Sequence, residues 1–177
     1  VAGFGGQGVM MIGQVLSYAA NLHGLNTLWF PSYGPETRGG TANCSVSIAT
    51  DNINSPVISK ATTLMALNKP SLDKFLPKLS PGGVLLYNSS LIKDETAQEN
   101  IRIVPVPIND IAIGLGNIKV ANMVLLGAFI EVSNLFNKEQ ISKTLEAFLS
   151  EDKQHLLGIN ISAIQAGMEY VRKLEVL

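Results

Sequence analysis

Val1-Ala2-Gly3-Phe4-Gly5-Gly6-Gln7-Gly8 opens the chain and runs directly into the apolar, helix-spaced stretch from Val9 to Leu22. Glycines at 3, 5 and 8 fit the G-x-G-x-x-G spacing, in which glycine allows a tight turn, close approach of a phosphate to the backbone, and close packing of helix on strand. Amide N–H groups at the start of the following helix, reinforced by its dipole, then point at an anion. Many α/β proteins use such a turn only to change direction, so the motif alone leaves ligand binding and plain structure both open.

Composition narrows the choice. The 177 residues suffice for one well-buried domain, read as 1–177, and are short for two. Hydrophobic residues make up 46% and charged residues 15%, with a net charge of −1, a sparsely charged outside that fits either a subunit burying part of its surface or a large three-layer core. No lysine/arginine run is present, which argues against nucleic acid. Val120 to Val132 is the most apolar stretch, but Asn122 and Glu131 interrupt it and it is too short to span a bilayer, so a buried helix is expected and no membrane contact. With no secretory leader ahead of the glycine turn, the expected location is cytoplasmic. Because Val1 stands first, the first strand is expected to lie mostly upstream or to be squeezed into Val1-Ala2-Gly3.

The lone cysteine, Cys44, rules out an internal disulfide, a four-thiolate iron–sulfur cluster and a cysteine-rich zinc site within this chain. It lies in the alternating run Thr41 to Ile48, as a small buried hydrophobe would. A nucleophilic cysteine needs a helper, and nothing in the sequence brings His23 or His155 beside it. His23 reads instead as a dipole partner at the end of the first helix, with Gly24 as the stop.

Beyond that helix, Asn26 to Phe30 reads as a short buried strand and Pro31 to Gly40 as a stiff, irregular loop. Ala42 to Ala49 alternates as a strand, and Asp51-Asn52 turns into a second run, Ile53 to Ile58, expected as its antiparallel neighbour, so that the sheet is mixed. Thr63 to Leu67, Val84 to Tyr87 (after the turn Pro81-Gly82-Gly83) and Arg102 to Val106 read as further strands, with a short helix started by Pro70 after the first of them. Asn137 with Gln140 predicts a capping box for a helix carrying Ile141, Leu145, Phe148 and Leu149, and a last helix is expected from about Ile161 to Lys173. Interleaved strands and helices give an α/β fold: a three-layer α/β/α domain on a mixed, mostly parallel sheet.

In open α/β sheets ligands lie beyond the carboxyl ends of the strands. That rule gathers the glycine turn, the Ser32 to Gly40 loop, Asn68-Lys69 and Asn88-Ser89-Ser90, provided their strands are parallel. Backbone amides, the Arg38 guanidinium, the Lys69 ammonium and the groups of Gln7, Ser32, Asn68, Asn88 and Ser89 suit a phosphorylated ligand or a partner's carboxylates. The set contains no acid/base pair, so no catalytic residue and no metal ligand is assigned. Each member also has a plainer use: Arg38 tied to Glu36 or to a neighbouring subunit, Asn68 and Asn88 as caps, Trp29 and Tyr33 as packing. A nicotinamide site lacks its acidic residue in Leu28 to Ser32, with Glu36 too far into the loop and Arg38 only a weak pointer to the phosphorylated dinucleotide; a Walker A loop fails because Val9 follows Gly8.

Taken together, Gly3-Phe4-Gly5-Gly6-Gln7-Gly8, Pro31 to Asn43 with its Tyr33-Gly34-Pro35-Glu36-Thr37-Arg38-Gly39-Gly40, Met65 to Phe75 and Tyr87-Asn88-Ser89-Ser90 resemble the gamma subunit of 2-oxoacid:ferredoxin (acceptor) oxidoreductases, most closely the 2-oxoglutarate enzymes and next the branched-chain ones. The resemblance covers essentially the whole chain. It implies a multisubunit enzyme that oxidatively decarboxylates a 2-oxoacid on thiamine diphosphate, passes electrons to ferredoxin and delivers the acyl group to coenzyme A. It places thiamine diphosphate between alpha and beta subunits, and iron–sulfur clusters on beta and a ferredoxin-like delta subunit. This chain would then carry neither, in keeping with its single cysteine and the absence of a Gly-Asp-Gly thiamine motif. By the same resemblance Gly5, Gly6, Gln7 and Gly8 approach the coenzyme A phosphates, with Arg38, Gly39 and Gly40 nearby, as one wall of a shared pocket. A stand-alone NAD(P)-binding oxidoreductase and a purely structural subunit are the competing readings.

Overall fold

Residues 1–33, 40–93 and 99–175 are described by the computed structural model, the side chain of Glu175 excepted. Six strands form one sheet: β1 (Ala2–Phe4), β2 (Asn26–Tyr33), β3 (Thr41–Ala49), β4 (Ala61–Ala66), β5 (Leu79–Asn88) and β6 (Arg102–Val106). Six α-helices accompany them: α1 (Val9–Leu22), α2 (Lys69–Phe75), α3 (Ile108–Gly114), α4 (Ala121–Ser133), α5 (Lys138–Phe148) and α6 (Leu157–Glu175). No helix among the described residues is long and apolar enough to cross a membrane.

Strand order is β2-β3-β1-β4-β5-β6. β1 to β6 are parallel through β4 and β5, whereas β3 runs antiparallel to both β1 and β2. The sheet is therefore mixed and mostly parallel, but not for the reason the sequence offered. Ile53 to Ile58 is not a strand. Both edges of β3 are already taken, Pro56 lacks a ladder donor, and the Ser55 hydroxyl closes a local turn by accepting from the Val57 amide at 3.1 Å. β2 also runs further than expected, through Pro31-Ser32-Tyr33, because it is an edge strand on which a missing N–H costs no ladder bond. Likewise Pro81-Gly82-Gly83 lies inside β5, as an irregular insertion opposite β4 where Gly82 takes φ 75°.

The two sheet faces are covered unequally. Alternation along the strands sends Met65, Leu67 and Leu86 to one side, where α1, α3, α4, α5 and α6 pack, and Leu64, Ala66, Leu85 and Tyr87 to the other, where α2 packs. α4 presents Asn122 to Ala128 and Ile130 buried, around its whole circumference, as its apolar sequence requires. It meets α6 at two glycines: a Cβ on Gly127 would lie 2.0 Å from the Ile164 carbonyl oxygen, and one on Gly167 2.0 Å from that of Val124.

Local signals explain the helix ends. α1 closes in a Schellman motif, with Leu25 N–H on Ala20 O (2.9 Å), Gly24 N–H on Asn21 O (3.1 Å) and Gly24 at φ 75°. The His23 ring at that end stacks at 5.9 Å from Phe136. Asn137 and Gln140 form the expected reciprocal capping box at α5. α6 begins at Leu157, four residues ahead of the expected start. Cys44 is buried, its thiol donating to the Val9 carbonyl at 3.6 Å, and burial pushes its pKa up, as befits a packing residue.

Beside β1 the sheet holds a cavity of about 670 Å³. It is lined by β3 (Asn43–Ile48), β4 (Ala61–Met65), the segment 56–60, Phe30 and Ser32. Phe30, Tyr33, Val57 and Ile58 remain exposed on this part of the molecule, Tyr33 at 70%.

Candidate anion site at the sheet edge

Two antiparallel steps, β2 to β3 and β3 to β1, cancel, so β2 points the same way as β1, β4, β5 and β6. The carboxyl ends of all five therefore share one edge, which meets the condition the sequence argument required. The glycine turn stands at its centre. Gly5 N–H donates to Gly40 O at 3.0 Å, tying the turn to the start of β3, and Leu67 N–H donates to Ala2 O at 2.9 Å, tying β1 to the end of β4.

Gly6 and Gly8 take left-handed conformations, φ 92° and 78°, that side-chain-bearing residues resist. Gly8 is the N-cap of α1 and provides no side-chain acceptor, and the first turn holds no acidic residue. Among the described residues, the N–H groups of Gly6, Gly8, Val9, Met10 and Met11 donate to nothing. Orphan donors at a helix N-terminus, with the positive end of its dipole, form an anion-binding arrangement.

The amide side chains nearby brace this turn. Gln7 Oε1 accepts from Phe4 N–H at 2.7 Å and from Asn68 Nδ2 at 2.8 Å. Asn68 Oδ1 in turn caps α2 by accepting from Ser71 N–H at 2.9 Å. Asn88 Nδ2 donates to Leu67 O (3.3 Å) and to Asn109 Oδ1 (3.1 Å), and its Oδ1 accepts from Ser90 N–H (3.1 Å). Asn68 and Asn88 are buried, so these bonds satisfy groups that would otherwise be costly to enclose. Lys69 pairs with Asp73 one helical turn on. Ser89 N–H is taken by Val106 O at 2.9 Å, while Ser90 Oγ bonds Asp110 Oδ2 at 2.9 Å.

The structure thus brings Gly5, Gly6, Gln7, Gly8, Gly40, Asn68 and Asn88 to one edge. Ser32 lines the cavity beside β1, whose lining includes none of the glycine-turn residues. Glu36, Arg38 and Gly39 lie outside the described residues. Trp29 packs against α1, where a Cβ on Gly13 would sit 2.7 Å from its Nε1. Asn122 was missed: it touches Gly8 from α4, 114 positions away, and the available signal was an asparagine inside an otherwise apolar helix. No group of His, Cys, Asp or Glu among the described residues could hold a metal ion. The edge can bind an anion through backbone amides.

Comparison with known proteins gives a consistent family. The model of the pyruvate ferredoxin/flavodoxin oxidoreductase family matches residues 1–170. The chain is 36% identical to the ketoisovalerate oxidoreductase subunit VorA of Methanothermobacter marburgensis over 98% of its own length, and spans 36% of that relative's length. It is 32% identical to the 2-oxoglutarate synthase subunit KorC of Methanocaldococcus jannaschii, covering 98% of this chain and 93% of that one. Among solved structures, the gamma subunit of a keto/oxoacid ferredoxin oxidoreductase from Geobacter sulfurreducens superposes with a TM-score of 0.81 at 30% identity, covering 97% and 96% of the two chains. The 2-oxoglutarate:ferredoxin oxidoreductase of Magnetococcus marinus, solved with 2-oxoglutarate, coenzyme A and succinyl-CoA bound, shares the fold over 97% of this chain and 30% of its own, with a TM-score of 0.86 at 23% identity.

Proposed function

Because the chain belongs to the pyruvate ferredoxin/flavodoxin oxidoreductase family, we propose that it works as the gamma subunit of a multisubunit 2-oxoacid:ferredoxin oxidoreductase. In that reaction a 2-oxoacid and coenzyme A give acyl-CoA, carbon dioxide and a proton, and two electrons pass to the acceptor. The subunit contributes assembly and one wall of the coenzyme A pocket. The observation that carries this reading is the set of unengaged amides of Gly6, Gly8, Val9, Met10 and Met11 around the start of α1, a match for a diphosphate. Gly40, bonded to Gly5, belongs to the same wall, and Asn68 and Asn88 brace it; Arg38 and Gly39 are proposed as further coenzyme A contacts from the sequence alone.

Thiamine diphosphate and the iron–sulfur clusters reside on alpha, beta and delta partners. With Cys44 buried and alone, this chain offers no thiolate set for a cluster. The partly covered sheet face, with Phe30, Tyr33, Val57 and Ile58 exposed beside it, supports burial against those partners. The substrate is proposed as 2-oxoglutarate, on the similarity to KorC over 93% of its length. A branched-chain 2-oxoacid is the second reading, favoured by the 36% identity to VorA.

Purification of the native complex with identification of its chains, followed by steady-state assays with each 2-oxoacid, tests the assignment. Coenzyme A titration compares the native complex with one carrying Gly6→Val, whose added side chain meets open space yet strains a left-handed backbone at the amides. A coenzyme A affinity unchanged by that substitution would favour a purely structural subunit, and turnover by the isolated chain would overturn the division of labour.

A further inference from the structure

α4 is apolar all round, yet its second residue is an amide. Asn122 is 5% exposed and is followed by Met123, Val124, Leu125 and Leu126, all fully buried. An enclosed amide is costly unless something occupies its polar atoms. Here the occupant is the glycine turn. Nδ2 lies 3.4 Å from the Gly8 carbonyl oxygen, which also accepts the Ile12 N–H at 3.2 Å. A Cβ on Gly8 would fall 2.4 Å from Asn122 Nδ2 and 2.6 Å from Cγ, so the amide lies against the bare Cα face of the N-cap residue.

The placement of α4 adds to this. Its start touches Gly8, while Phe129 and Ser133 near its end line the cavity beside β1 together with Leu16 of α1 and with Val1. α1 and α4 therefore run parallel, and both N-termini meet the sheet edge. Neither first turn holds an acidic residue or a side-chain cap.

We propose that Asn122 is a positioning residue for the anion site: it packs on Gly8, fixes the left-handed N-cap, and so keeps the free amides of Gly6, Gly8, Val9, Met10 and Met11 aimed at the ligand diphosphate without introducing charge. The proposal rests on the coenzyme A reading above. A leucine would match the branching at Cγ, with bulkier ends, but leave Gly8 unheld. An aspartate would match the shape but set a carboxylate beside the N-termini, where it competes with the anion.

The assembled complex carrying Asn122→Leu or Asn122→Asp tests it by two readouts. Amide hydrogen exchange without ligand at Gly5, Gln7 and Ile12, the hydrogen-bonded amides of the turn, is expected to quicken at least tenfold in Asn122→Leu, while α5 and α6 exchange as in the native complex. The coenzyme A KM is expected to rise about tenfold in both variants, with kcat at saturating coenzyme A and the 2-oxoacid KM within twofold of native. In Asn122→Asp the rise should shrink as pH falls towards 5 and as salt is raised, a response that packing alone would not produce. Native exchange at Gly5, Gln7 and Ile12 in both variants overturns the proposal, as does a coenzyme A KM within twofold of native in a complex that responds to Gly6→Val. Faster exchange at Gly5, Gln7 and Ile12 with a coenzyme A KM indifferent to Gly6→Val and to both variants would instead refute the coenzyme A reading and leave Asn122 holding the turn. Asn122→Asp keeps the native shape and decides the matter if Asn122→Leu fails to assemble.

Discussion

Replacing Gly127 or Gly167 by alanine should destabilise the chain by pushing α4 and α6 apart. A Cβ at either position would meet a carbonyl oxygen of the other helix at 2.0 Å, whereas ordinary contact begins at 3.4 Å. The helices would have to separate by about 1.4 Å, and a gap of even 0.5–1 Å forfeits roughly a quarter to a half of each dispersion contact along the crossing. Overpacking of this kind costs about 3 kcal/mol, offset by up to about 1 kcal/mol from alanine's better helix propensity, leaving a net loss of about 2 kcal/mol at each site. Gly158 is the control: it too lies in α6, but a Cβ there meets nothing within 4 Å, so Gly158→Ala should be neutral or stabilise by about 0.5 kcal/mol. Urea denaturation of the variants, read as a shift in midpoint at constant slope, measures all three. Gly127→Ala and Gly167→Ala within 0.5 kcal/mol of native, or Gly158→Ala as damaging as they are, would refute the close-crossing argument.

Gly8→Ala should cost more than Gly24→Ala although both positions are left-handed, because only the former also collides with a neighbour, Asn122. Backbone strain alone is about 1 kcal/mol, and thermal denaturation of the two variants reads the excess. Asn68→Ala removes the cap of α2 and strips Gln7 of a donor, a loss of about 2 kcal/mol detectable by the same measurement. Burial holds the Cys44 thiol above its ordinary pKa of 9.0, so the folded state keeps its proton where the unfolded state has released it. That contribution is complete below about pH 9 and fades as pH rises through the folded value, so native protein should lose stability from pH 9 upward more steeply than Cys44→Ala. Denaturation at pH 7 and pH 10 of both proteins checks this, and equal slopes would contradict it.

Much of the fold could be read where the determinants are local. Gly24 stops α1, Asn137 with Gln140 starts α5, and the alternation of Arg102–Val106 gives β6 its bounds, because each rests on residues within a few positions. Long-range pairing escaped that reading. Pro31 continues β2 only because the strand lies at the edge of the sheet, and Ile53 to Ile58 stays out of the sheet because β3 already has two partners. At the site, the shared edge followed from the strand rule, and asparagines 68 and 88 take the capping and bracing roles that compete with ligand contact. Nothing local ties Asn122 to Gly8.

Central placement of β1 bears on how the chain is made. The first strand is flanked by β3 and β4, so a ribosome must release more than sixty residues before it gains both neighbours. The amides of α1 gain their support against Gly8 only when residue 122 emerges. At typical synthesis rates the opening segment therefore waits for seconds, with Ile12, Val15 and Leu16 uncovered. Nascent chains stalled before α4 should expose these side chains to chaperones, and the edge that carries the glycine turn is completed only after α4 is made.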